Sequence, residues 1–324
     1  MPENHLPTIH SLVDVEALAT LLERQYGLSG VRCQLIKGTI RDVYHVVTSG
    51  SDYVLCLYRH NARTAGQILA EIKLIETLHD ADVTVAPPTR TVEGHLLFSV
   101  IVPEGERYAT LCEYVEGDQL AKQPDTNTVK EYGRVVAQIH TVSDQMKHAI
   151  ERPKIDFEFL VEQSIASFAY AAPQRKDDLT FLQEIAAVLK PKMESLSTEK
   201  PLYGLVHGDI IPSNTLISPD GRLTIVDFDL CGYGWRSYDI ATFLVEARYW
   251  NMGQKIEQAF LEGYQSVRQL SVIEYEMLPI METARNILSL GIPASYINTW
   301  GRVYFSPPII EKTLLLLKQN LTLL

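Results

Sequence analysis

The sequence predicts an α+β fold in two lobes, an N-terminal antiparallel sheet with a helix followed by a larger, mainly helical C-terminal lobe. Three observations predict it. Short runs rich in β-branched and aromatic residues fill roughly the first 115 positions. From Gly117 onward the apolar residues recur mostly at helical spacing. A chain of 324 residues also exceeds what one small core serves comfortably, so two domains are expected. The boundary falls between Val115 and Pro124, giving lobes over residues 1–115 and 116–324.

Val13 to Tyr26 carries apolar residues at helical spacing, with Asp14 placed to cap the helix and Gly27 to stop it. VRCQLI, DVYHVVT and DYVLCLY follow, the last two divided by the turn formers Ser49, Gly50 and Ser51, and read as a three-stranded antiparallel meander. Thr64 to His79 returns to helical spacing through Ile68, Ile72, Ile75 and Leu78, and Pro87 and Pro88 end any helix there. HLLFSVIV and RYATLCEYV read as two more strands, joined by the turn Pro103-Glu104-Gly105. Helical pattern resumes with Thr126 to Val142 and dominates to the end. The exception is a compact island, LYGLVHGDIIPSNTLISPDGRLTIVDFD, in which short apolar runs alternate with turn residues.

With 46% hydrophobic and 21% charged residues, the composition is that of a soluble globular chain and excludes disordered and collagenous classes. The formal charge of -11 argues against a nucleic-acid or anionic-membrane surface and favours a cationic or zwitterionic small-molecule partner. Cys33, Cys56, Cys112 and Cys231 are scattered with no CxxC pair and read as reduced, buried thiols. MPENHLPTIH lacks the basic flank and apolar core of a signal peptide, and no run reaches the ~20 apolar residues of a membrane span, so a cytoplasmic location is expected. The tail TLLLLKQNLTLL, broken by Lys318, Gln319 and Asn320, reads as a helix packed onto the body.

The chemistry is concentrated in His207-Gly208-Asp209, then Asn214, then Asp227-Phe228-Asp229. A D-x4-N spacing, followed by an apolar strand ending in DFD, gathers the proton- and metal-handling groups that phosphoryl transfer requires. Asp209 takes the place of the base that orients and deprotonates an attacking hydroxyl. Asn214 and Asp227 take the places of hard oxygen ligands for magnesium. His207 braces the loop, and Asp229 either joins the metal shell or caps the turn. Any one of these pieces alone reads as a turn or a strand end; in this order they read as a catalytic set.

These segments resemble the aminoglycoside phosphotransferase superfamily, which includes choline kinases and homoserine kinases of the second type, and the resemblance covers nearly the whole chain. CGYGWRSYDIATFL looks like the family's segment after the metal-binding aspartate, with Asp239 in place of a buried aspartate that supports the catalytic loop. LPIMETARNILSLG is similar to the homoserine-kinase-like branch. The resemblance implies a bilobal protein-kinase-like fold, use of ATP and Mg2+, and transfer to a hydroxyl. It also implies that the hairpin Lys37-Gly38-Thr39-Ile40-Arg41 covers the phosphates and that the backbone of Glu113 and Val115 receives the adenine.

One departure stands out. The family's third strand carries a lysine or arginine that contacts the phosphates and pairs with a glutamate on the following helix. Here YVLCLYR presents Cys56, whereas Glu71 still matches the glutamate. Lys37 and Arg41 are the candidate substitutes, and Arg59 is disfavoured because strand alternation points it to the opposite face from position 56. A slow enzyme, or a chain that no longer catalyses, are the other readings of the same departure.

Only eleven residues separate Asp227 from Asp239 and no APE motif follows, which leaves little room for a peptide platform. The acceptor is therefore expected to be a small molecule such as an amino alcohol, amino acid, sugar or aminoglycoside. Glu246, Tyr249, Trp250, Glu282 and Trp300 are candidates to line its pocket, holding an amine by charge and by the faces of aromatic rings. A serine/threonine protein kinase of the same fold and a catalytically silent nucleotide-binding protein are the alternatives.

Overall fold

A computed structural model describes residues 6, 8–120, 124–146 and 148–321. The chain divides into two compact units, Met1–Gly117 with Ala149–Glu151, and Asp118–His148 with Arg152–Leu324.

In the first unit, helix α1 (Val15–Tyr26) starts at Asp14, whose carboxylate accepts from the N–H groups of Glu16 and Ala17. It stops at Gly27, which takes the left-handed conformation that suits glycine. Strands β1 (Arg32–Gly38), β2 (Arg41–Val47) and β3 (Tyr53–Tyr58) form the expected meander. Helix α2 (Ala65–Asp80) follows, its first turn closed by a reciprocal capping box between Thr64 and Gln67. Strands β4 (Pro88–Thr89), β5 (Phe98–Val102) and β6 (Gly105–Glu113) complete an antiparallel sheet ordered β1-β2-β3-β6-β4, with β5 also paired to β6.

Successive strand residues point to opposite faces, so each face of this sheet can bury a different helix. Tyr44, Val46, Leu55, Leu57, Ala109 and Leu111 pack on Leu18, Leu22 and Tyr26 of α1. Cys56 and Tyr58 pack on Ile68 and Ile72 of α2 from the other side. Leu18 and Leu22 are fully shielded from solvent, and truncating either to alanine would cost about 2–5 kcal/mol.

The second unit begins with β7 (Asp118–Gln119) and α3 (Thr126–Asp144); a wide helical turn, Glu158–Glu162, then runs into α4 (Gln163–Ala171), followed by α5 (Lys176–Glu194). The island holds β8 (Tyr203–Val206), β9 (Thr215–Ile217), β10 (Leu223–Ile225) and β11 (Gly232–Trp235). These form two small antiparallel sheets, β10-β9-β7 and β11-β8. Helices α6 (Arg236–Tyr249), α7 (Gln254–Gln265), α8 (Val272–Ser295), α9 (Ile297–Trp300) and α10 (Pro307–Asn320) make up the rest.

Helices α3 and α7 touch backbone to backbone. A Cβ on Gly133 would lie 2.0 Å from the Phe260 carbonyl oxygen, and one on Gly263 1.8 Å from that of Lys130, so both positions need glycine. The end of α3 is fastened by Asp144, which pairs with Arg236 at 2.6 Å and Arg268 at 2.8 Å. Helix α10 buries Leu314 and Leu317, in keeping with a tail packed onto the body; residues 322–324 lie outside the described residues. No helix among the described residues is long and apolar enough to cross a membrane. All four cysteines are free thiols; Cys56 and Cys231 are buried, whereas Cys33 and Cys112 are half-buried rather than fully enclosed.

Candidate active site

The loop after β8 is held from below by one buried carboxylate. Asp239, in the first turn of α6, accepts from the backbone N–H groups of His207 at 2.7 Å and Gly208 at 2.8 Å. Its position near a helix N-terminus favours the charged form. Burial pushes the Asp239 carboxyl up, but hydrogen bonds from His140 and the Gly208 N–H, with the neighbouring imidazoles, outweigh burial and hold it below the usual carboxylate range. His140 Nε2 lies 2.9 Å from Asp239 and its Nδ1 2.8 Å from the Tyr264 hydroxyl. Because an ionised carboxylate only accepts, Nε2 carries the proton and Nδ1 accepts from the tyrosine. Burial pushes the His140 imidazole down to about 4.

His207 is itself buried and faces inward. Its Nδ1 accepts from the Asp209 N–H at 3.2 Å, leaving Nε2 to donate to the Val226 carbonyl at 3.2 Å. The ring thus spans the two segments that carry Asp209 and Asp227, while touching Phe228 at a centroid distance of 4.4 Å. Gly208 must be glycine on two counts. Its φ of +84° is left-handed, and a Cβ would sit 2.4 Å from the Leu230 carbonyl oxygen.

Asn214 donates through Nδ2 to Asp209 Oδ2 at 2.9 Å and to the Asp209 carbonyl at 3.1 Å. The other oxygen, Oδ1, meets Arg285 Nη2 of α8 at 3.0 Å. Asp209 is thereby aimed by two donors on opposite oxygens while keeping about 20% of its side chain exposed. Arg285 lies 3.9 Å from Glu246 Oε1 of α6, so one buried guanidinium joins two carboxylates. Burial pulls the Arg285 pKa down, but the charges of Asp209 and Glu246 and the nearby Tyr238 more than reverse that and raise it.

The Asn214 carbonyl accepts from the Val226 N–H at 2.9 Å, which brings Asn214 next to the segment of Asp227. Asp227 itself adopts φ +68° and ψ +63°, a left-handed geometry that costs a non-glycine residue about 1–3 kcal/mol and marks a functional turn. Asp229 is buried, and Arg152 donates to its carbonyl and, at 2.7 Å, to that of Cys231, which fixes the turn after Asp227. Among the described residues no group of three His, Cys, Asp or Glu side chains is gathered for a metal. With its amide nitrogen committed to Asp209, Asn214 keeps its carbonyl oxygen as a hard donor near Asp227. Such a sparse oxygen set fits magnesium, which retains waters and substrate phosphate oxygens.

In the first unit, Cys56 lies opposite Val43, and Tyr58 opposite Arg41. Directly opposed residues of an antiparallel pair share a face, so Arg41 projects to the side on which α2 packs. Its Nη1 reaches Glu71 Oε1 at 3.1 Å, with the Tyr58 hydroxyl 3.2 Å from the same oxygen. Arg41, on the strand next to Cys56, is thus 8% exposed and paired with Glu71. Lys37 is exposed on β1 opposite Val43, beside a bulge, and Arg59 points to the Gly38 carbonyl at 3.4 Å. At the end of β6 the Glu113 N–H donates to the Pro87 carbonyl at 3.0 Å and that of Tyr114 to Asp52 at 3.1 Å; Val115 follows directly.

The residue pattern of the phosphotransferase enzyme family (APH) matches residues 32–274, well over half of the chain. The chain belongs to this family. A homoserine kinase of Rhizobium johnstonii is 28% identical over 244 residues, covering 72% of this chain and 70% of the relative. Among solved structures, a microcompartment-associated aminopropanol kinase superposes with a TM-score of 0.82 at 22% identity, over 95% of this chain and 98% of that one. Amicoumacin kinase hAmiN, solved with AMP-PNP, Ca2+ and Ami, gives 0.79 at 20% identity, over 95% and 94%. The chain is thus a kinase with the bilobal protein-kinase-like fold.

Of the aromatic and acidic residues suspected of lining the acceptor pocket, the structure groups Glu246, Tyr249 and Trp250 and disperses the rest. Trp250 Nε1 donates to Glu246 Oε2 at 3.2 Å. Glu282 instead pairs with Arg248, and Trp300 stacks on Tyr296 with centroids 4.6 Å apart. Sequence reasoning missed Arg285, His140 and Arg152. A signal existed for the first two, since each is a polar residue on an otherwise apolar helical stripe: Met281, Leu288 and Arg285 on α8, Val136, Ile139 and His140 on α3.

Proposed function

We propose that the protein transfers the γ-phosphoryl group of ATP, with Mg2+, to a hydroxyl of a small cationic or zwitterionic molecule. The observation that carries this reading is the Asp209 carboxylate, held on one oxygen by Asn214 and on the other by Arg285, on a loop anchored to Asp239. Asp209 accepts the hydroxyl proton as the oxygen forms its bond to phosphorus and the bond to ADP breaks. Asn214 and Asp227 would hold the metal, whose charge offsets that of the transferring phosphate. His207 and Asp239 act as positioning residues that fix the loop. In the first unit, Arg41 paired with Glu71 serves the nucleotide phosphates, Lys37 lies on the covering hairpin, and the backbone at Glu113 and Val115 receives the adenine.

ADP release measured with MgATP and a panel of amino alcohols, hydroxy amino acids and sugars tests the reading. Acceptor-dependent turnover is expected, and Asn214→Ala and Asp227→Ala should each raise the magnesium concentration needed for half-maximal rate. Turnover of serine-containing protein in place of any small acceptor, or no acceptor-dependent turnover at all, would overturn it.

A further inference from the structure

We propose that residues 8–14 act as a latch on the first unit's sheet, with His10 and Ser11 as positioning residues that work through Asp42 and Arg107 to set the start of β2, and so hold Arg41 for the nucleotide phosphates. This rests on the kinase reading above. Arg41 and Asp42 open β2 and, as successive strand residues, point to opposite faces. Arg41 meets Tyr58 and Glu71 on the side of α2. Asp42 lies on the other face, is fully buried, and pairs in register with Gly38 across the covering hairpin. Whatever fixes Asp42 therefore fixes the strand one residue from Arg41, at the base of that hairpin.

Asp42 is held by a buried cation that the latch completes. The Arg107 guanidinium of β6 is fully shielded from solvent. It donates from Nη2 to Asp42 Oδ2 at 2.6 Å and to the Leu57 carbonyl at 3.1 Å, and from Nε to the Tyr58 carbonyl at 2.9 Å. Leu57 and Tyr58 are the β3 residues opposite Asp42 and Arg41, so Arg107 ties β2 to β3 at the hairpin's base. Its remaining terminal nitrogen, Nη1, donates to the Ser11 carbonyl at 3.0 Å. Withdrawing that carbonyl leaves a buried charged donor short of a partner, which weakens the whole junction.

The latch grips the same ion pair at two further points. His10 Nε2 lies 3.1 Å from Asp42 Oδ1. The Ser11 N–H and hydroxyl donate to the two oxygens of Glu104 at 3.1 and 2.8 Å, and Glu104 stands 3.8 Å from Arg107. Burial and the charge of Arg59 hold the His10 imidazole below its usual range against the pull of Asp42. The ring is therefore neutral and, since a carboxylate paired with arginine only accepts, Nε2 carries the proton. These grips are polar: Ile9 and Leu12 are 79% and 65% exposed, so apolar burial at those positions contributes little. A segment held by a few hydrogen bonds opens far more readily than a core does, and its opening strips partners from the junction that seats Asp42.

The test uses the full chain with two probes, MgADP and adenosine. Ser11→Ala and His10→Gln should each raise the calorimetric Kd for MgADP about threefold to tenfold, the worth of one hydrogen bond. Adenosine lacks the phosphates that Arg41 serves, so it should compete for the site equally well in the wild-type chain and both variants. Coupling between two sites is reciprocal, so saturating MgADP should slow hydrogen exchange at the Ser11 amide of the wild-type chain by a similar factor. An unaltered MgADP Kd in both variants, an equal loss of adenosine binding, or Ser11 exchange indifferent to MgADP would each overturn the latch. The exchange measurement needs no variant and so decides the matter even where a substitution disturbs folding. If the wild-type chain binds no MgADP at all, the kinase reading itself has failed.

Discussion

The loop around Asp209 and the pair formed by Arg41 and Glu71, to which the proposed function gives the base and the phosphate contact, are built in different ways. In the loop, His207, Asp209, Asn214, Asp227 and Asp239 fall within 33 residues of chain, and the backbone N–H groups of His207 and Gly208 tie it to Asp239, with Arg285 the one long-range contact to Asp209 described above. The pair joins residues 30 apart on a strand and a helix, and what fixes it is strand register and burial. Chemistry set by local backbone tolerates little change of residue. Chemistry set by a shared sheet face can move between strands, because any position on that face can deliver the same charge. On the proposed function, Cys56 beside Glu71 is what such a move would leave behind.

Replacing the base should give the largest effect on the loop's side of this contrast. Asp209→Asn keeps the shape and the contact with Arg285, but removes the charge that accepts the hydroxyl proton. Turnover should fall about a hundredfold or more, while calorimetric nucleotide binding stays close to unchanged, because the loss falls in the transition state. Near-normal turnover would show that the loop does not carry the reaction.

The pair should respond with a smaller loss and, unlike the loop, should be repairable from a neighbouring strand. Arg41→Ala is expected to raise the KM for ATP about tenfold to hundredfold, the worth of a hydrogen bond to a charged group. Lys37→Ala should do less, since Lys37 is exposed and Arg41 is the residue against Glu71. Cys56→Ala should be almost silent. Adding Cys56→Lys to Arg41→Ala should restore part of the lost affinity, because both positions lie on the face that meets α2. Circular dichroism must show both variants folded, as removing Arg41 leaves Glu71 buried beside one fewer donor. Failure of the lysine to recover any ATP use would show that Arg41 is structural only.

The same contrast explains what the sequence could reveal. The helix cap at Asp14 and the meander are local, and residue type with spacing was enough to find them; the HGD and DFD segments that the structure brings together were legible in the same way. The choice of Arg41 over Lys37 needed register. The register of β2 on β3 places Arg41 opposite Tyr58, which a reading of strand alternation at Arg59 alone did not supply. Arg285 was out of reach for a further reason. It stands 76 residues from Asp209, on a helix whose neighbours are set by packing, and only the stripe it interrupts betrays it. Glu246, Tyr249 and Trp250 form a group, whereas Glu282 and Trp300 do not, because α8 and α9 turn the latter two toward other partners.

The smallest expected effect on rate concerns the support beneath the loop, where the change appears in stability instead. The His140 imidazole is neutral in the folded chain and titrates near 4, well below the 6.5 of an exposed histidine, because burial disfavours its charged form. Between those two values the unfolded chain binds a proton that the folded chain refuses. Stability is therefore full above about pH 6.5 and declines as pH falls toward 4, by an amount on the order of 3 kcal/mol. Asp239 has a lowered pKa, so its own contribution is retained across this window and is lost only below the usual carboxylate range. The thermal midpoint followed from pH 7 to pH 4.5 should fall, and the part due to this site should vanish in His140→Gln, which keeps an amide donor for Asp239 but cannot titrate. Parallel curves for the two proteins would mean that His140 does not set the acid sensitivity of the fold. In that case the Asp239 anchor would depend on its hydrogen bonds from His207 and Gly208 alone, and the loop would be held wholly by its own backbone.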